Sequence, residues 1–456
     1  MKRRIGLLDQ YTGENLGDTA ILDSAIAAIK HRIPDAEITL FVLYPAGASA
    51  RHALPCHSVV GWSIPWYSDF SYLESTDAST KHVQVEIANR SLRSHIKRIP
   101  LLGDIAIRIN SVWQSSLQPM LSTMVRWLSN MLLEFRHTVR SYRLLKDYDL
   151  LVIAGGGQLD DDFGGPWGHP YTLLKWGVLA KLTRTRYVVL SVGACSLKSP
   201  LSSRFIDRAL RLAEYRSYRD KGSRDILSAF LPRTATDPIV PDLAFGYPAK
   251  KRRFPLYSGP TTLRIAVSPI VYLSKRWPHR DEEAYKRYIH ELCEVVTRLI
   301  QAGAHVAIFQ SDDTDTPIIG EIFDEIVPRL NATERSALTQ APVDSLEELF
   351  DIYRQSHVVV ASRLHGILLA HVIETPVVAI SYDRKVATHM HDIGQVDFCL
   401  DITDFSSTHV LEAIDYMAAH QPMISKGLSS HVADCRAKLS MQYDLVLPFQ
   451  GSNDSQ

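Results

Sequence analysis

The chain has 456 residues, 46% of them hydrophobic and 22% charged, and its 50 Lys and Arg balance 50 Asp and Glu. At about 100–200 residues per domain this length implies two to four domains, large enough to need no disulfide or structural metal. The neutral balance argues against a nucleic-acid-coating protein, and the five scattered cysteines form neither a zinc motif nor a disulfide framework. No stretch approaches the ~18 uninterrupted apolar residues of a spanning helix, and the N-terminal apolar run breaks at Asp9 before a signal core forms. A soluble, cytoplasmic protein that does not bind nucleic acid is expected.

The first predicted strand, RIGLLD (4–9), leads through DQYTGENLGDTA into a helix over 18–33. Gly13 and Gly17 permit tight turns there, and Asn15 or Asp18 is placed to cap the helix. The free N–H groups of its first turn suit an anion, although a plain turn with a cap reads equally well. After the strand EITLFVL (37–43), residues of about 60–146 break the rhythm. Arg90–Lys146 is helical in pattern, rich in Leu, Trp and Met, with ten Lys and Arg against Asp104 and Glu134. It reads as an insertion, either a helical subdomain with a solvated basic face or an amphipathic surface for anionic lipid.

The strand DLLVIAG (149–155) ends in Gly155, Gly156 and Gly157, which let a ligand or another segment approach the backbone at a carboxyl end. Asp160, Asp161 and Asp162 then offer oxygen ligands for Mg²⁺ or, more simply, a solvated acidic loop. Beyond a helix over 170–184 and the strand RYVVLSVG (186–193), the charged run YRSYRDKGSRD carries Arg219 and Asp220. The Pro-, Gly- and Lys/Arg-rich stretch 246–263 marks a boundary.

Past it, LRIAVSP (263–269), a helix over 282–303, HVAIFQ (305–310), HVVVAS (357–362) and PVVAISY (376–382) repeat the alternation. Most of these strands lack the period-2 pattern of a half-exposed strand, so parallel sheets with both faces covered are expected, in doubly wound α/β domains. Ser362 is placed to cap a helix through Leu364 to Ile373, which puts Arg363 and His365 in its first turn. A cation at a helix N-terminus is unfavourable unless an anion neutralises it, so this pattern asks for phosphate or carboxylate on the fork of Arg363. Histidine's ordinary pKa suits His365 to proton transfer. His371 reads as a core histidine, and its spacing from His365 does not suit a helical metal pair. Lys385 lies just past the next strand, at the same sheet end.

Together ENLGD (14–18), GGGQLDD (155–161), SVG (191–193), SYRDKGS (217–223), Asp242 in VPDLAF, SRLHG (362–366) and ISYDRK ending at Lys385 resemble, in order and spacing, the polysaccharide pyruvyltransferase family. The resemblance covers residue 14 to about 395, skipping the insertion. It implies a glycosyltransferase-B-like pair of Rossmann-like domains, 1–250 with the helical insertion at about 60–146 and 260–445 with the donor site. It also implies transfer of an enolpyruvyl group from phosphoenolpyruvate to a sugar of a cell-surface polysaccharide or its lipid-linked precursor, giving a pyruvate ketal without cofactor or metal. On that resemblance His365, Arg363 and Lys385 are the catalytic set, with His365 as acid/base. Arg219, Ser362, Leu364, Gly366, Asn15, Gly17, Asp18 and the three glycines 155–157 bind substrate. A two-domain glycosyltransferase using a nucleotide sugar and a non-catalytic scaffold are the alternatives.

Overall fold

A computed structural model describes residues 2–10, 15–62, 118–162, 164–250, 262–272 and 280–447. Twelve strands form two parallel six-stranded sheets. The first comprises β1 (Arg4–Leu8), β2 (Glu37–Val42), β3 (Cys56–Ser58), β4 (Leu150–Ala154), β5 (Arg186–Val192) and β6 (Tyr215–Tyr218), in the order β3-β2-β1-β4-β5-β6. The second comprises β7 (Arg264–Ser268), β8 (His305–Ile308), β9 (Leu338–Gln340), β10 (Val358–Ala361), β11 (Val377–Ser381) and β12 (Cys399–Asp401), in the order β12-β11-β10-β7-β8-β9. Each half therefore reverses direction once, between β1 and β4 and between β7 and β10. Crevices outside strand carboxyl ends at such reversals are where open α/β sheets hold ligands.

The eight strands expected from the sequence are the eight inner ones. The four it missed, β3, β6, β9 and β12, are the four sheet edges. Their sequences, CHS, YRSY, LTQ and CLD, are short and partly exposed and carry no apolar run to mark them.

One apolar core runs from the first half into the second. Ile21, Ala25 and Leu243 share it with Phe350, Leu364 and Ile367. The helix Gln421–Val446 reinforces the junction. Its Ile424 and Leu428 lie in the core of the second half, while Val432, Cys435, Leu439 and Tyr443 lie in the shared core. Arg32 binds Asp444 at 2.7 Å, and Arg436 donates to the carbonyl of Phe245 at 3.1 Å. The last helix, which the sequence reading gave to the second domain, thus ends against the first.

Of the expected insertion, residues 63–117 lie outside the described residues, and Gln118–Leu145 is one helix. Its second half is docked by a buried Glu134, which accepts from Lys175 Nζ at 2.5 Å, Gly61 N at 2.6 Å and Tyr171 Oη at 3.0 Å. Along it Met124, Trp127, Leu128, Leu132 and Phe135 are exposed. Among the described residues no helix is long and apolar enough to cross a membrane.

Candidate functional site

The site forms where the carboxyl ends of the two sheets face each other. In the first half, Asn15 accepts from Gly17 N at 2.7 Å and so caps the helix Leu16–Arg32; Asp18 does not. Asn15 also forms an antiparallel bridge with Asp312 of the second half. Gly17 faces His365 so closely that a Cβ there would overlap the imidazole. Only glycine admits the histidine at this point.

His365 is the second residue of the helix Leu364–Val372, and its Nε2 lies 3.6 Å from Asp242 Oδ2. That contact is an ion-pair distance, too long for a hydrogen bond, and Nε2 is buried with no hydrogen-bond partner among the described residues. Asp242 is only 2% exposed. It accepts from Ala244 N at 3.0 Å, and Arg219 Nη1 lies 3.4 Å from its Oδ2. Burial alone would raise its pKa, but His365 and Arg219 more than offset this and hold it far below the ordinary carboxylate range. Arg219 follows β6 and also reaches Asp220 Oδ2 at 3.3 Å. Gly193 leaves it room, since a Cβ there would sit 2.8 Å from Nη2. A line of charges, Arg219–Asp242–His365, therefore runs from one half into the other.

Lys385 is on the same side. Asp383 caps its helix by accepting from Lys385 N at 2.8 Å, and Nζ lies 5.4 Å from the centroid of the Tyr382 ring. No carboxylate pairs with Nζ among the described residues. Burial pulls its pKa down, yet Tyr382 and Asp383 leave it raised, with Arg219 close enough to oppose them.

Arg363 corrects the sequence reading. The anion its position demands is supplied by the chain itself: Nε and Nη2 engage both oxygens of Asp315, the latter at 2.9 Å, Nη2 donates to Thr314 Oγ1 at 2.8 Å, and Nη1 lies 3.4 Å from Asp312. Ser362 is corrected too. Arg363 itself holds the cap position without a side-chain cap bond, while Ser362 Oγ lies 3.2 Å from Tyr288 Oη. Leu364 points into the shared core, and Gly366 packs under Tyr353, whose hydroxyl donates to its carbonyl at 2.8 Å.

The glycine run makes a tight turn. Gly155 and Gly156 have φ of 58° and 70°, and the turn is tied to β5 through Gly155 N to Leu190 O and Gly193 N to Gly156 O, both 2.8 Å. Gly157 has open space beside it. Of the acids that follow, Asp160 and Asp161 are buried and Asp162 is exposed. Asp161 accepts from Lys198 N and Ser199 N at 3.0 and 2.9 Å, Asp160 lies 3.2 Å from His169 Nδ1, and Asp162 pairs with Lys198 at 2.7 Å. No cluster of His, Cys, Asp or Glu suits a metal among the described residues. His371 is fully buried, as its apolar setting suggested, and Nδ1 lies 3.0 Å from His389 Nε2.

The model of the polysaccharide pyruvyl transferase family matches residues 15–384. The chain belongs to that family. No match is found among curated proteins. Among solved structures, Anabaena HepE in complex with UDP and glucose is similar over 97% of this chain and all of its own, at TM-score 0.53 and 10% identity. The UDP-GlcNAc 2-epimerase of Methanocaldococcus jannaschii (TM-score 0.51, 10% identity, 92% and 93% covered) and a glycosyltransferase of Rickettsia africae (0.51, 8%, 97% of both) are similar as well. At such identities these likenesses establish the glycosyltransferase-B-like architecture and nothing finer.

Sequence reasoning named Asp18 and Asp242 but missed Asp312 and Asp315, the acids that meet Arg363. Asp18 faces His365, and its pKa is raised by burial and by Asp312 and Asp242, with His365 pulling the other way. Asp312 and Asp315 carry no motif. Only the unmet charge of Arg363 signalled that such partners must exist.

Proposed function

We propose that this pyruvyl transferase moves the enolpyruvyl group of phosphoenolpyruvate onto two hydroxyls of one sugar, forming a cyclic ketal and releasing phosphate. The observation that carries the reading is the Arg219–Asp242–His365 line with Lys385 beside it. Phosphoenolpyruvate carries a phosphate and a carboxylate; Lys385, which pairs with no carboxylate among the described residues, supplies one cation, and Arg219, held more loosely by Asp220 and Asp242 (3.3 and 3.4 Å) than Arg363 is by Asp315, supplies the other. His365 protonates the methylene carbon, which leaves C2 electron-poor. One sugar hydroxyl adds to C2, the bond from C2 to the phosphate oxygen breaks, and the second hydroxyl closes the ring. Of the two hydroxyl protons, one restores His365 and the other leaves with phosphate. Ionised Asp242 stabilises positive charge on His365, and Lys385 and Arg219 stabilise the departing phosphate. Arg363, already committed to two carboxylates, holds the Asp312–Asp315 segment against the donor helix.

Thermal unfolding tests the donor. Phosphoenolpyruvate at a hundredfold excess over Kd should raise stability by about 2.7 kcal/mol. Loss of that shift in Lys385→Ala would support the donor site, and a shift with UDP-sugars alone would retire it in favour of a glycosyltransferase.

The acceptor, on the same reading, is lipid-linked and met at an anionic membrane on its cytoplasmic face. What supports this is the helix Gln118–Leu145, on which Trp127 and Phe135 are 59% and 66% exposed and Arg136, Arg140 and Arg143 are exposed, with Lys146 exposed just past its end. Apolar side chains that enter a headgroup layer beside basic ones suit an anionic surface. Sedimentation with phosphatidylglycerol vesicles should fall sharply in a Trp127→Glu/Phe135→Glu variant. Equal sedimentation would refute the contact.

A further inference from the structure

Three buried polar groups at the carboxyl ends of β1 and β4 are unused by the chemistry above. Asp9, 3% exposed, directly follows β1 and leaves Oδ2 without a hydrogen-bond partner among the described residues. Gln10, 8% exposed, leaves Nε2 unpartnered. Gln158, 2% exposed, donates Nε2 to Gly155 O at 2.8 Å; that bond fixes its amide and leaves Oε1 unpartnered. The groups are neighbours, for a Cβ on Gly156 would lie 3.6 Å from both Asp9 Oδ1 and Gln158 Cγ.

A buried polar atom left unpaired is unfavourable, so a fold does not gather several without return. Asp9 is the most exposed to this penalty. Burial, and then the nearby Asp18, push its carboxyl well above the ordinary range, with the Gln10 backbone N–H pulling back and Asp242 adding to the rise. Apolar residues of similar size would remove the penalty. Asp242, one of the acids that act on Asp9, lies 3.6 Å from His365 Nε2.

We infer that Asp9, Gln10 and Gln158 form the subsite that grips two neighbouring hydroxyls of the acceptor sugar, with Asp9 Oδ2 and Gln158 Oε1 accepting from hydroxyls and Gln10 Nε2 donating to one. This rests on the pyruvyl-transfer reading and specifies its acceptor. Asp9, Gln10 and Gln158 present two acceptors and one donor without a cation among them, which suits neutral hydroxyls, each of which both donates and accepts. They therefore select an uncharged pyranose ring with two free hydroxyls within reach of one carbon. The unpartnered atoms are shielded from solvent, so the ring reaches them only on opening of the site.

Saturation-transfer NMR tests the subsite with methyl α- and β-pyranosides of glucose, galactose, mannose and their 2-acetamido counterparts as probes, with and without phosphoenolpyruvate. The wild-type chain should bind at least one of them, and Asp9→Asn and Gln158→Leu should each weaken it by on the order of tenfold or more. Asp9→Asn should also melt no lower than the wild type, whereas a purely structural Asp9 would lower the melting temperature. Should Asp9→Asn not fold, Gln158→Leu decides alone. Binding of no pyranoside by the wild type, or unchanged binding in a folded variant, overturns the subsite. A wild-type stabilisation by phosphoenolpyruvate, measured separately, judges the donor: its absence beside retained sugar binding sinks the donor reading and leaves the subsite standing.

Discussion

The two halves have the same strand order but treat the ends of their first strands differently. After β7, every polar group named here has a partner: Ser268 Oγ meets Ser311 Oγ at 3.1 Å, Ile270 N donates to Tyr288 Oη at 3.1 Å, and Val271 N donates to Asp315 Oδ1 at 3.0 Å. After β1, Asp9 and Gln10 are left with unpaired atoms. The second half spends its acids on Arg363 and so becomes a rigid platform that presents His365 and Lys385. The first half leaves Asp9 and Gln10 with unpaired atoms at the corresponding place. Topology alone does not assign a role to a crevice wall; the degree to which its polar groups are satisfied does.

The largest test of that contrast is the contact between the halves. Gly17→Ala would press a methyl into His365. Turnover should fall by about 10²–10⁴-fold in Gly17→Ala and in His365→Ala, the latter with little change in melting temperature. Steady-state phosphate release measures both, and near-normal turnover in either would break the assignment of His365.

Next is the platform. Arg363→Ala leaves Asp315, which is 0% exposed, without its counter-ion. Urea unfolding should show a loss of about 3–5 kcal/mol. A stable Arg363→Ala variant that instead loses stabilisation by phosphoenolpyruvate would make Arg363 a ligand group and erase the contrast.

The seam between the halves should respond to acid. His371 and His389 stack at 5.2 Å, and Phe245 of the first half lies 6.1 Å from His389 and 5.9 Å from His431. Burial, then His431, pushes His389 down to about 3, and burial, then His389, pushes His371 well below its ordinary value. The unfolded chain takes up these protons near pH 6.5 and the folded chain does not, so it is the unfolded state that gains protons as pH falls. Their contribution to stability is complete above about pH 6.5 and falls by roughly 1.4 kcal/mol per pH unit per site toward pH 3. Melting temperature against pH measures it, and His389→Gln should flatten the slope.

The smallest effect expected is Asp9→Asn, which relieves a crowded buried carboxyl and should raise stability by about 1 kcal/mol. A loss of stability would mean that the first half is as fully satisfied as the second.

The sequence by itself determined the two α/β halves, the eight inner strands, the family, and the approach of the SRLHG helix, Arg219 and Lys385 to one crevice. Continuous apolar runs and the order of short motifs are local properties, legible without coordinates. It did not determine the edge strands, because three or four partly exposed residues become a strand only when a neighbour offers a ladder. Nor did it determine what Arg363 binds. A cation at a helix N-terminus requires an anion, but whether that anion is a substrate or Asp315, 48 residues away, is a matter of which side chains packing brings together. The unpaired acids after β1 were likewise invisible, since an unsatisfied group is defined by its surroundings and not by its type.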